Sequence, residues 1–257
     1  KHLQHYLDLS QAYIRNGEPG QAISILQQAT KIAPDQTGPY LALASAYYEQ
    51  QNYVQAKRNA DLAENIAPEQ AAPLLLCAKI ALKLDDPGQA KAKSEAVLRL
   101  NPDDPQALYL QAQAFSALGD TEQALQVVEK AIPLSDDPLS LYLQRADLLA
   151  AADGSQNLLP ELKSIADQYP DEPLVLAPLA KAYADAGQKT EAIQAAQQAL
   201  HRSSGVLPLD EQAQLHHLLG RLLRDTGQLD QSIHQLSEAI RIAPQSLTSY
   251  LELGLTQ

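Results

Sequence analysis

A proline recurs every 34 residues in this chain. Pro34, Pro68 and Pro102 are one period apart, and Pro170 lies two periods further on. Proline lacks a backbone N–H and clashes with the preceding turn of a helix, so each of these residues predicts a break after a helical segment. A constant spacing of this length indicates one supersecondary unit that is repeated along the chain.

Apolar residues recur between these prolines at helical spacing. In the second repeat, one helix carries Tyr40, Leu43, Ala44 and Tyr47 at i, i+3, i+4 and i+7, and the next carries Ala56, Ala60 and Ala63 at i, i+4 and i+7. Each set is the buried stripe of a helix, and the large residues of the first helix face the small residues of the second. Turns such as LGD and TGQ supply glycine where a helix must end in a left-handed conformation. Since one helical pair cannot bury its own apolar face, we expect the pairs to stack.

The register of these stripes defines the repeats. They cover residues 3–36, 37–70, 71–104, 105–138, 139–172, 173–206 and 213–246, with an insertion at 207–212 and the first helix of an eighth repeat at 247–257. The sequence therefore predicts that residues 1–257 form a single solenoid.

The pattern of aromatic, Leu, small, Tyr, Ala, aliphatic, Ala and Pro in a 34-residue period resembles the tetratricopeptide repeat, over nearly the whole chain. The resemblance implies an all-α fold, a right-handed superhelical solenoid of about 7.5 antiparallel helix pairs. The departures are local: Gln111 and Arg145 replace the usual aliphatic residue, and His216 replaces the leading aromatic residue. Asp136 and Ser204 replace the closing proline.

Three further prolines and one insertion interrupt the pattern. Pro133 and Pro160 fall within second helices, where a proline costs about 3 kcal/mol, so we expect both helices to be shortened or shifted. This irregularity of repeats 4 and 5 is either drift of weak repeats or a bend that widens a groove for a partner. Pro178 is expected to trim the start of its helix. The segment 203–212 is expected to be a tolerated surface insertion, with a contact loop as the alternative.

The charge balance restricts the class of partner. The chain has 19 Lys+Arg against 31 Asp+Glu, a formal charge of −12, and a pI near 4.8. This balance argues against nucleic acids and anionic membranes, which require a basic face. No apolar run approaches the roughly 18 residues of a membrane span, so no membrane insertion is expected.

Residues that carry chemistry are sparse. His2 and His5 are three residues apart and His216 and His217 are adjacent, but neither pair belongs to a set with zinc-ligand spacing. Cys77 is the single cysteine, which excludes an internal disulfide, and it lies on a buried stripe rather than at an exposed, activated position. Phosphate loops and nucleophile motifs are also missing from the sequence. We therefore expect no catalytic residue, no metal site and no cofactor in this chain.

The resemblance also implies a binding surface, because in this family the first helices line a concave groove with repeat positions 2, 5, 9, 12 and 13. The candidate residues in the first four repeats are Leu7, Gln11, Ile14, Arg15, Leu41, Ser45, Tyr48, Leu75, Lys79, Leu82, Lys83, Tyr109 and Gln113. Apolar anchors with a charged rim suit an extended peptide or an amphipathic helix of another protein. The alternative is that some of these leucines are core residues between neighbouring first helices.

Charge at the groove positions differs from that of the chain as a whole. The bases are Arg15, Lys79, Lys83, Lys181, Arg221 and Arg224, and the acids are Glu49, Asp147, Asp185 and Asp225. The groove is therefore expected to be slightly positive in an acidic chain. Family members that bind chaperone tails carry Lys at position 5 and Asn at position 9, where this chain has pairs such as Leu7 and Gln11. Chaperone-tail recognition is not expected.

These observations favour a non-catalytic scaffold that binds a peptide or helical segment of a partner in its groove. One alternative is a regulatory or targeting arm of a larger enzyme, or of an envelope or secretion assembly, whose catalytic part lies outside this chain. A third hypothesis is end-to-end self-association through Tyr250 and Leu253 of the truncated last helix. Without a visible signal peptide, the cytoplasm is slightly favoured over the periplasm as the location.

Overall fold

The computed structural model describes residues 2–153, 157–203 and 205–256, and in this part of the chain every regular element is helical. The α-helices are α1 (His2–Arg15), α2 (Pro19–Ile32), α3 (Thr37–Glu49), α4 (Tyr53–Ile66), α5 (Ala71–Lys83), α6 (Pro87–Leu100), α7 (Pro105–Ala117), α8 (Thr121–Ala131), α9 (Leu139–Asp153), α10 (Leu158–Gln168), α11 (Pro173–Asp185), α12 (Lys189–Arg202), α13 (Leu209–Asp225), α14 (Leu229–Ile242) and α15 (Leu247–Thr256). A 3₁₀ turn, Ile132–Leu134, follows α8. The predicted all-α class is confirmed. Of the departures from the repeat pattern, Ser204 lies outside the described residues.

The chain divides into two compact units, Lys1–Leu148 (unit 1) and Leu149–Gln257 (unit 2). In unit 1, α1 packs on α2, α2 on α3, and so on through α8, and the first helices of neighbouring repeats also contact each other, α1 with α3, α3 with α5 and α5 with α7. In unit 2, α10 to α15 pack in the same succession, and α11 contacts α13 and α13 contacts α15. Helix pairs that stack on their neighbours are therefore confirmed within each unit. The continuous solenoid over 1–257 stays a prediction.

The core follows the predicted stripes. Ala56, Ala60 and Ala63 of α4 are fully buried, and the first two share a core cluster with the buried Ala44 of α3. The same small residues recur on the other second helices, for example as Ala22, Ala90, Ala124 and Ala192, all fully buried. Alanine at these positions lets two helix backbones approach closely, and the repetition of this contact builds the core.

The irregular prolines have three different outcomes. The second helices that contain Pro133 and Pro160 are shortened, as predicted: α8 ends at Ala131 and the 3₁₀ turn takes up Pro133, while α10 begins at Leu158, so that Pro160 falls in its first turn. The expectation for Pro178 is wrong. The helix α11 starts at Pro173 and continues through Pro178, because Val175 and Leu179 on either side are buried and their packing outweighs one missing backbone hydrogen bond.

The insertion is more than a surface loop. Leu207 is 4% exposed and belongs to a core cluster with Leu176, Ala199 and Leu215. Gln212 Nε2 donates a hydrogen bond of 2.8 Å to the Leu207 carbonyl, and α13 begins early, at Leu209. The expectation of a purely tolerated surface insertion is wrong for Leu207, because an apolar side chain next to an unfilled core position is driven inwards.

Gly220 marks a close approach of two helices in unit 2. A Cβ atom at this position would lie 2.6 Å from Leu236 Cγ and 3.3 Å from the Leu236 backbone nitrogen. Ser232 Oγ donates a hydrogen bond of 2.7 Å to the Gly220 carbonyl, so that a polar contact joins the two helices beside the apolar one. Neither α13 nor α14 has room to move at this point.

We expect Gly220→Ala to lower the free energy of unfolding by about 1–2 kcal/mol, because the added methyl group overpacks the contact with Leu236 by more than the improved helix propensity offsets. Urea denaturation followed by circular dichroism measures the change. Gly254→Ala is the matched control, since a Cβ there meets nothing within 4 Å. If both variants are equally stable, the contact does not constrain the fold.

Six turns between first and second helices lie within the described residues, and they share one backbone requirement. They comprise residues 16–18, 50–52, 84–86, 118–120, 186–188 and 226–228, and the central residue of each has a positive φ. Four of these central residues are glycine, but Gln51 has φ 58° and Asp85 has φ 57°. The following residue closes the turn, as where the Asn52 N–H donates to the Tyr47 carbonyl at 2.9 Å. Gln51 and Asp85 therefore occupy a conformation that glycine adopts at lower cost.

We expect Gln51→Gly to raise the free energy of unfolding by about 0.5–1 kcal/mol, because a side chain in the left-handed region costs about 1–2 kcal/mol, partly offset by the chain entropy of glycine. Gln50→Gly is the adjacent control. Gln50 has φ −79°, so glycine there is expected to destabilise. Urea titrations of both variants give the comparison, and a loss of stability in Gln51→Gly would contradict the argument.

Candidate functional site

The predicted binding residues all lie on the first helices of unit 1. Leu7, Gln11, Ile14 and Arg15 are on α1, Leu41, Ser45 and Tyr48 on α3, Leu75, Lys79, Leu82 and Lys83 on α5, and Tyr109 and Gln113 on α7. Repeat positions 5, 9 and 12 are four and three residues apart, which places them on one face of each helix. Because these four helices contact each other in succession, the residues form one surface, which we call the first-helix surface.

The apolar members of this surface are half-buried. Leu7 and Ile14 pack against a core cluster that contains Leu26 and Leu43, while Leu82 packs against a cluster that contains Ala81 and Ala114. Leu75 likewise packs against the cluster of Leu74, Val97 and Ala107. Each of these side chains therefore supports the core and still presents part of its area to solvent. Both interpretations of the leucines, core and surface, hold in part.

Tyr48 and Lys79 form a contact between neighbouring repeats. Lys79 Nζ lies 4.6 Å from the centroid of the Tyr48 ring, and the Tyr53 ring meets Tyr48 edge-on at a centroid distance of 5.3 Å. Burial raises the pKa of Tyr48, with further contributions from Tyr53, Glu49 and Tyr109. The Tyr48 hydroxyl is therefore neutral at physiological pH and can donate a hydrogen bond, and the ammonium group of the exposed Lys79 lies over the face of its ring.

Tyr109 and Gln113 form a second polar pair on α7. Gln113 Nε2 donates a hydrogen bond of 2.8 Å to Tyr109 Oη, across one helical turn. Burial raises the pKa of Tyr109 as well. The hydrogen bond fixes the orientation of the amide, so that the Gln113 carbonyl oxygen stays available to a donor.

Some cations on the second helices of unit 1 form ion pairs, whereas among the described residues Lys31, Lys57 and Arg99 form none. Lys93 on α6 pairs with Glu64 at 2.5 Å, and Lys130 on α8 pairs with Asp103 at 3.1 Å. Within the part of the chain that the structure describes, Arg15, Lys79 and Lys83 have no carboxylate at salt-bridge distance. Three positive charges therefore remain uncompensated around a half-buried apolar face.

A cluster of possible metal ligands, which sequence reasoning missed, surrounds Cys77. Asp61, Glu64 and Cys77 each place one ligand atom within 4.8 Å of the others. The three residues lie on two successive helices, α4 and α5. In the sequence, the spacing of Asp61 and Glu64 at i and i+3, one repeat before Cys77, could have indicated this cluster. Lys93 Nζ lies 2.5 and 2.7 Å from the two carboxylate oxygens of Glu64. That charge neutralises the position at which a cation would have to bind.

The thiol itself is unsuited to ligation or nucleophilic attack. Cys77 is 4% exposed, as its place on the stripe predicts. Burial raises its pKa to about 12, with contributions from Glu64 and Asp61. Only the thiolate binds metals and attacks electrophiles, and very little of it exists at neutral pH.

We expect Cys77 in the folded protein to react with iodoacetamide at pH 8 at below about 1% of its rate in concentrated urea, because burial and the raised pKa both suppress the thiolate. Mass spectrometry of the alkylated chain over time gives both rates, and the unfolded chain is the internal reference. Rapid labelling of the folded protein would contradict this argument and make Cys77 a candidate nucleophile or metal ligand.

The structure also has a pocket in unit 2, where the sequence analysis placed charged groove positions but no candidate residue for partner binding. Its volume is about 430 Å³, and Lys181, His217 and Arg221 are among its lining residues. These residues occupy repeat positions 5 and 9, so the register contained the signal. The sequence register does not predict the pocket itself, because the space between these side chains depends on their three-dimensional geometry. In addition, none of the described helices combines the length and apolar character needed to cross a bilayer.

Two family models, both described as tetratricopeptide repeat, match this chain, one over residues 75–138 and 177–246 and the other over residues 13–80. No curated protein sequence matches it. Among solved structures, a tetratricopeptide repeat protein from Parabacteroides merdae is similar over 99% of this chain and 98% of its own, with 16% identity and a TM-score of 0.72.

Two other solved structures are similar. PilF from Pseudomonas aeruginosa matches over 86% of this chain and 97% of its own, with 17% identity and a TM-score of 0.69. The Cut9–Hcn1 hetero-tetramer of the APC/C matches over 98% of this chain and 48% of its own, with 16% identity and a TM-score of 0.73. At these identities the likenesses concern the fold alone. The matching family models cover more than half of the residues, and the chain belongs to the tetratricopeptide repeat family.

Proposed function

We propose that this chain is a non-catalytic scaffold that binds a peptide or a helical segment of another protein on the first-helix surface of unit 1. The observation that carries the proposal is the combination of half-buried apolar side chains on four adjacent helices with cations on α1 and α5 that have no ion pair. The tetratricopeptide repeat fold is in general a non-catalytic scaffold for protein interactions, which supports this class of function.

The apolar residues supply the anchoring part of the proposed contact. Leu7, Ile14 and Leu75 are held by the core beneath them, so that binding orders few additional rotamers. Covering their remaining exposed area contributes about 25 cal/mol per Å² of apolar surface. A partner therefore needs several apolar side chains at regular spacing, as on an amphipathic helix or in an extended segment.

The cations supply the orientation and the choice of partner. Arg15, Lys79 and Lys83 surround the apolar side chains, while the chain as a whole has a formal charge of −12. An apolar segment flanked by acidic residues would be attracted to this surface and repelled from the rest of the protein. We propose that the partner segment has this composition.

An alternative is that the repeats serve a larger assembly or enzyme as a regulatory or targeting arm. The similarity to PilF and to PilW, which is described as a type IV pilus biogenesis factor, favours an envelope assembly, and the similarity to Cut9–Hcn1 favours a subunit of a large complex. The open reading frame around this chain distinguishes an arm of a larger enzyme from a non-catalytic scaffold, because only the former predicts that a catalytic domain is encoded there.

Self-association is a further alternative use of the fold. Leu247, Leu251 and Leu255 of α15 are 70%, 59% and 74% exposed, and Tyr250 beside them is 49% exposed. A second copy of the chain would bury these residues. The molar mass from light scattering separates this alternative from partner binding.

The proposal is tested by photocrosslinking in extracts of the native cells. A benzophenone amino acid replaces Lys83, on the first-helix surface, or Arg99 in the last turn of α6, an exposed cation on a second helix. We expect a crosslinked partner from position 83 and none from position 99. Lys79→Glu is expected to lower the yield about tenfold, since one reversed charge at the rim of a contact costs on the order of 1.4 kcal/mol.

The controls address two other causes of a lower yield, namely unfolding of the variant and a general effect of reversing a charge. Lys79 is exposed, so the melting temperature of Lys79→Glu is expected to equal that of the wild type. Lys91→Glu is the reference variant, because Lys91 also lies over an aromatic ring, that of Phe115, but on a second helix. Equal crosslinking from both positions, or equal loss in both Glu variants, would contradict the proposed surface.

A further inference from the structure

The pocket in unit 2 lies between α11, α13 and the start of α15. Lys181 and Asp185 line it from α11, Asp210, His217 and Arg221 from α13, and Ser249 from α15. Its volume of about 430 Å³ is within the range of pockets that bind small ligands or a few side chains. The pocket belongs to unit 2, whereas the first-helix surface lies in unit 1. The proposals for these two sites are therefore tested separately.

Two of the lining residues are cations without an ion-pair partner. Among the described residues, neither Lys181 nor Arg221 has a carboxylate at salt-bridge distance, although both are exposed. Two cations of unit 2 outside the pocket lining are paired: Lys189 lies 3.3 Å from Asp225, and Arg224 forms ion pairs with Asp225 and Glu252. Asp225 and Glu252 are thus bound to cations outside the pocket lining, whereas Asp185 and Asp210 belong to it.

A chain of hydroxyl groups positions the imidazole of His217. His217 Nδ1 lies 3.1 Å from Ser249 Oγ, and Ser249 Oγ lies 3.0 Å from Ser246 Oγ. Ser249 is 1% exposed, so this contact is buried in the wall of the pocket. With Nδ1 held by Ser249, the second ring nitrogen of His217 is the one left for a ligand.

The lining carries both signs of charge, and this restricts the ligand. Asp185 and Asp210 contribute two negative charges beside the two positive charges of Lys181 and Arg221. A phosphate dianion would meet both carboxylates, and an aliphatic ligand would desolvate four charged groups without compensating them. A ligand that carries one acidic and one basic group matches the lining best.

We propose that this pocket binds a peptide segment of a partner protein in which an acidic side chain stands next to a basic one. The acidic carboxylate lies against Lys181 and Arg221, and the basic group lies against Asp185 and Asp210. The His217 ring packs beside the carboxylate and donates a hydrogen bond to it when protonated. The segment is recognised by its charge pattern, in contrast to the apolar anchoring proposed for unit 1.

Binding is expected to depend on pH. Burial lowers the pKa of His217, Glu252 raises it and Arg221 lowers it further. The other charged groups that face the ring, Lys181, Asp185 and Asp210, belong to the same lining. A bound carboxylate favours the protonated imidazole, so the pKa of His217 is higher in the complex than in the free protein. Affinity is therefore expected to increase as the pH falls from 8 towards 6.

The test uses the dipeptide acetyl-Glu-Lys-amide as the probe, and NMR of the His217 ring protons as the readout. The signal is assigned from its loss in His217→Gln. We expect a saturable shift and a higher pKa of His217 with the dipeptide bound. Arg221→Gln and Lys181→Gln are each expected to weaken binding about five- to tenfold, as for the loss of one charge-assisted hydrogen bond at an open site.

Matched probes and variants decide between the outcomes. Lys189→Gln is the control variant, since Lys189 pairs with Asp225 away from the pocket lining, and its affinity is expected to equal that of the wild type. Acetyl-Gln-Lys-amide lacks the carboxylate, and its binding with equal affinity would overturn the proposal. Tighter binding of inorganic phosphate would also overturn it, in favour of a plain anion site, as would a shift with the dipeptide that does not saturate.

Discussion

The close contact between the two helices of a repeat is the constraint on which the rest of this structure depends. Its clearest instance is in unit 2, where Gly220 faces Leu236 and accepts a hydrogen bond from Ser232. Fully buried alanines make the equivalent contact elsewhere, as Ala56 and Ala60 do on α4. An alanine buries little area, so one such contact contributes little to stability. Its repetition along the chain supplies the core, and this explains why the 34-residue register is visible in the sequence at all.

This contact also decides where the large side chains lie. Because the second helices present small residues, the larger residues of the first helices pack between neighbouring first helices and stay half-buried, as Leu7 and Leu75 do. The chain has no Trp, no Met and one Phe, but eleven Tyr. At Tyr48 and Tyr109 a ring is packed while its hydroxyl stays neutral, since burial raises both pKa values. The surface proposed for binding is thus a by-product of how the repeat is packed.

The sequence predicts the helices well because every repeat carries the same information, so that one misread residue does not shift the register. Local rules failed where tertiary packing overrode them: Pro178 stays inside α11 because its neighbours are buried, and Leu207 enters the core although it belongs to an insertion. Gln51 shows the reverse, a turn whose geometry is imposed by the repeat without the glycine that normally accompanies it. The candidate residues were placed on the correct helices by period counting. Their ion pairs were not predictable in this way, because Arg224 and Glu252, 28 residues apart, meet only through side-chain geometry.

The pattern of ion pairs then bears on function in a way that composition cannot. With 31 acidic residues against 19 basic ones, a shortage of carboxylates is not the reason why any cation in this protein lacks a partner. Lys93, Lys130 and Arg202 on second helices have one, whereas Lys31, Lys57 and Arg99, also among the described residues, have none. Lys79 lies over a tyrosine ring, and Arg221 lines a pocket with Asp185 and Asp210 without forming an ion pair with either. Each of these cations lacks an ion pair because of where the repeat places it, and we propose that an acidic group of another molecule pairs with it.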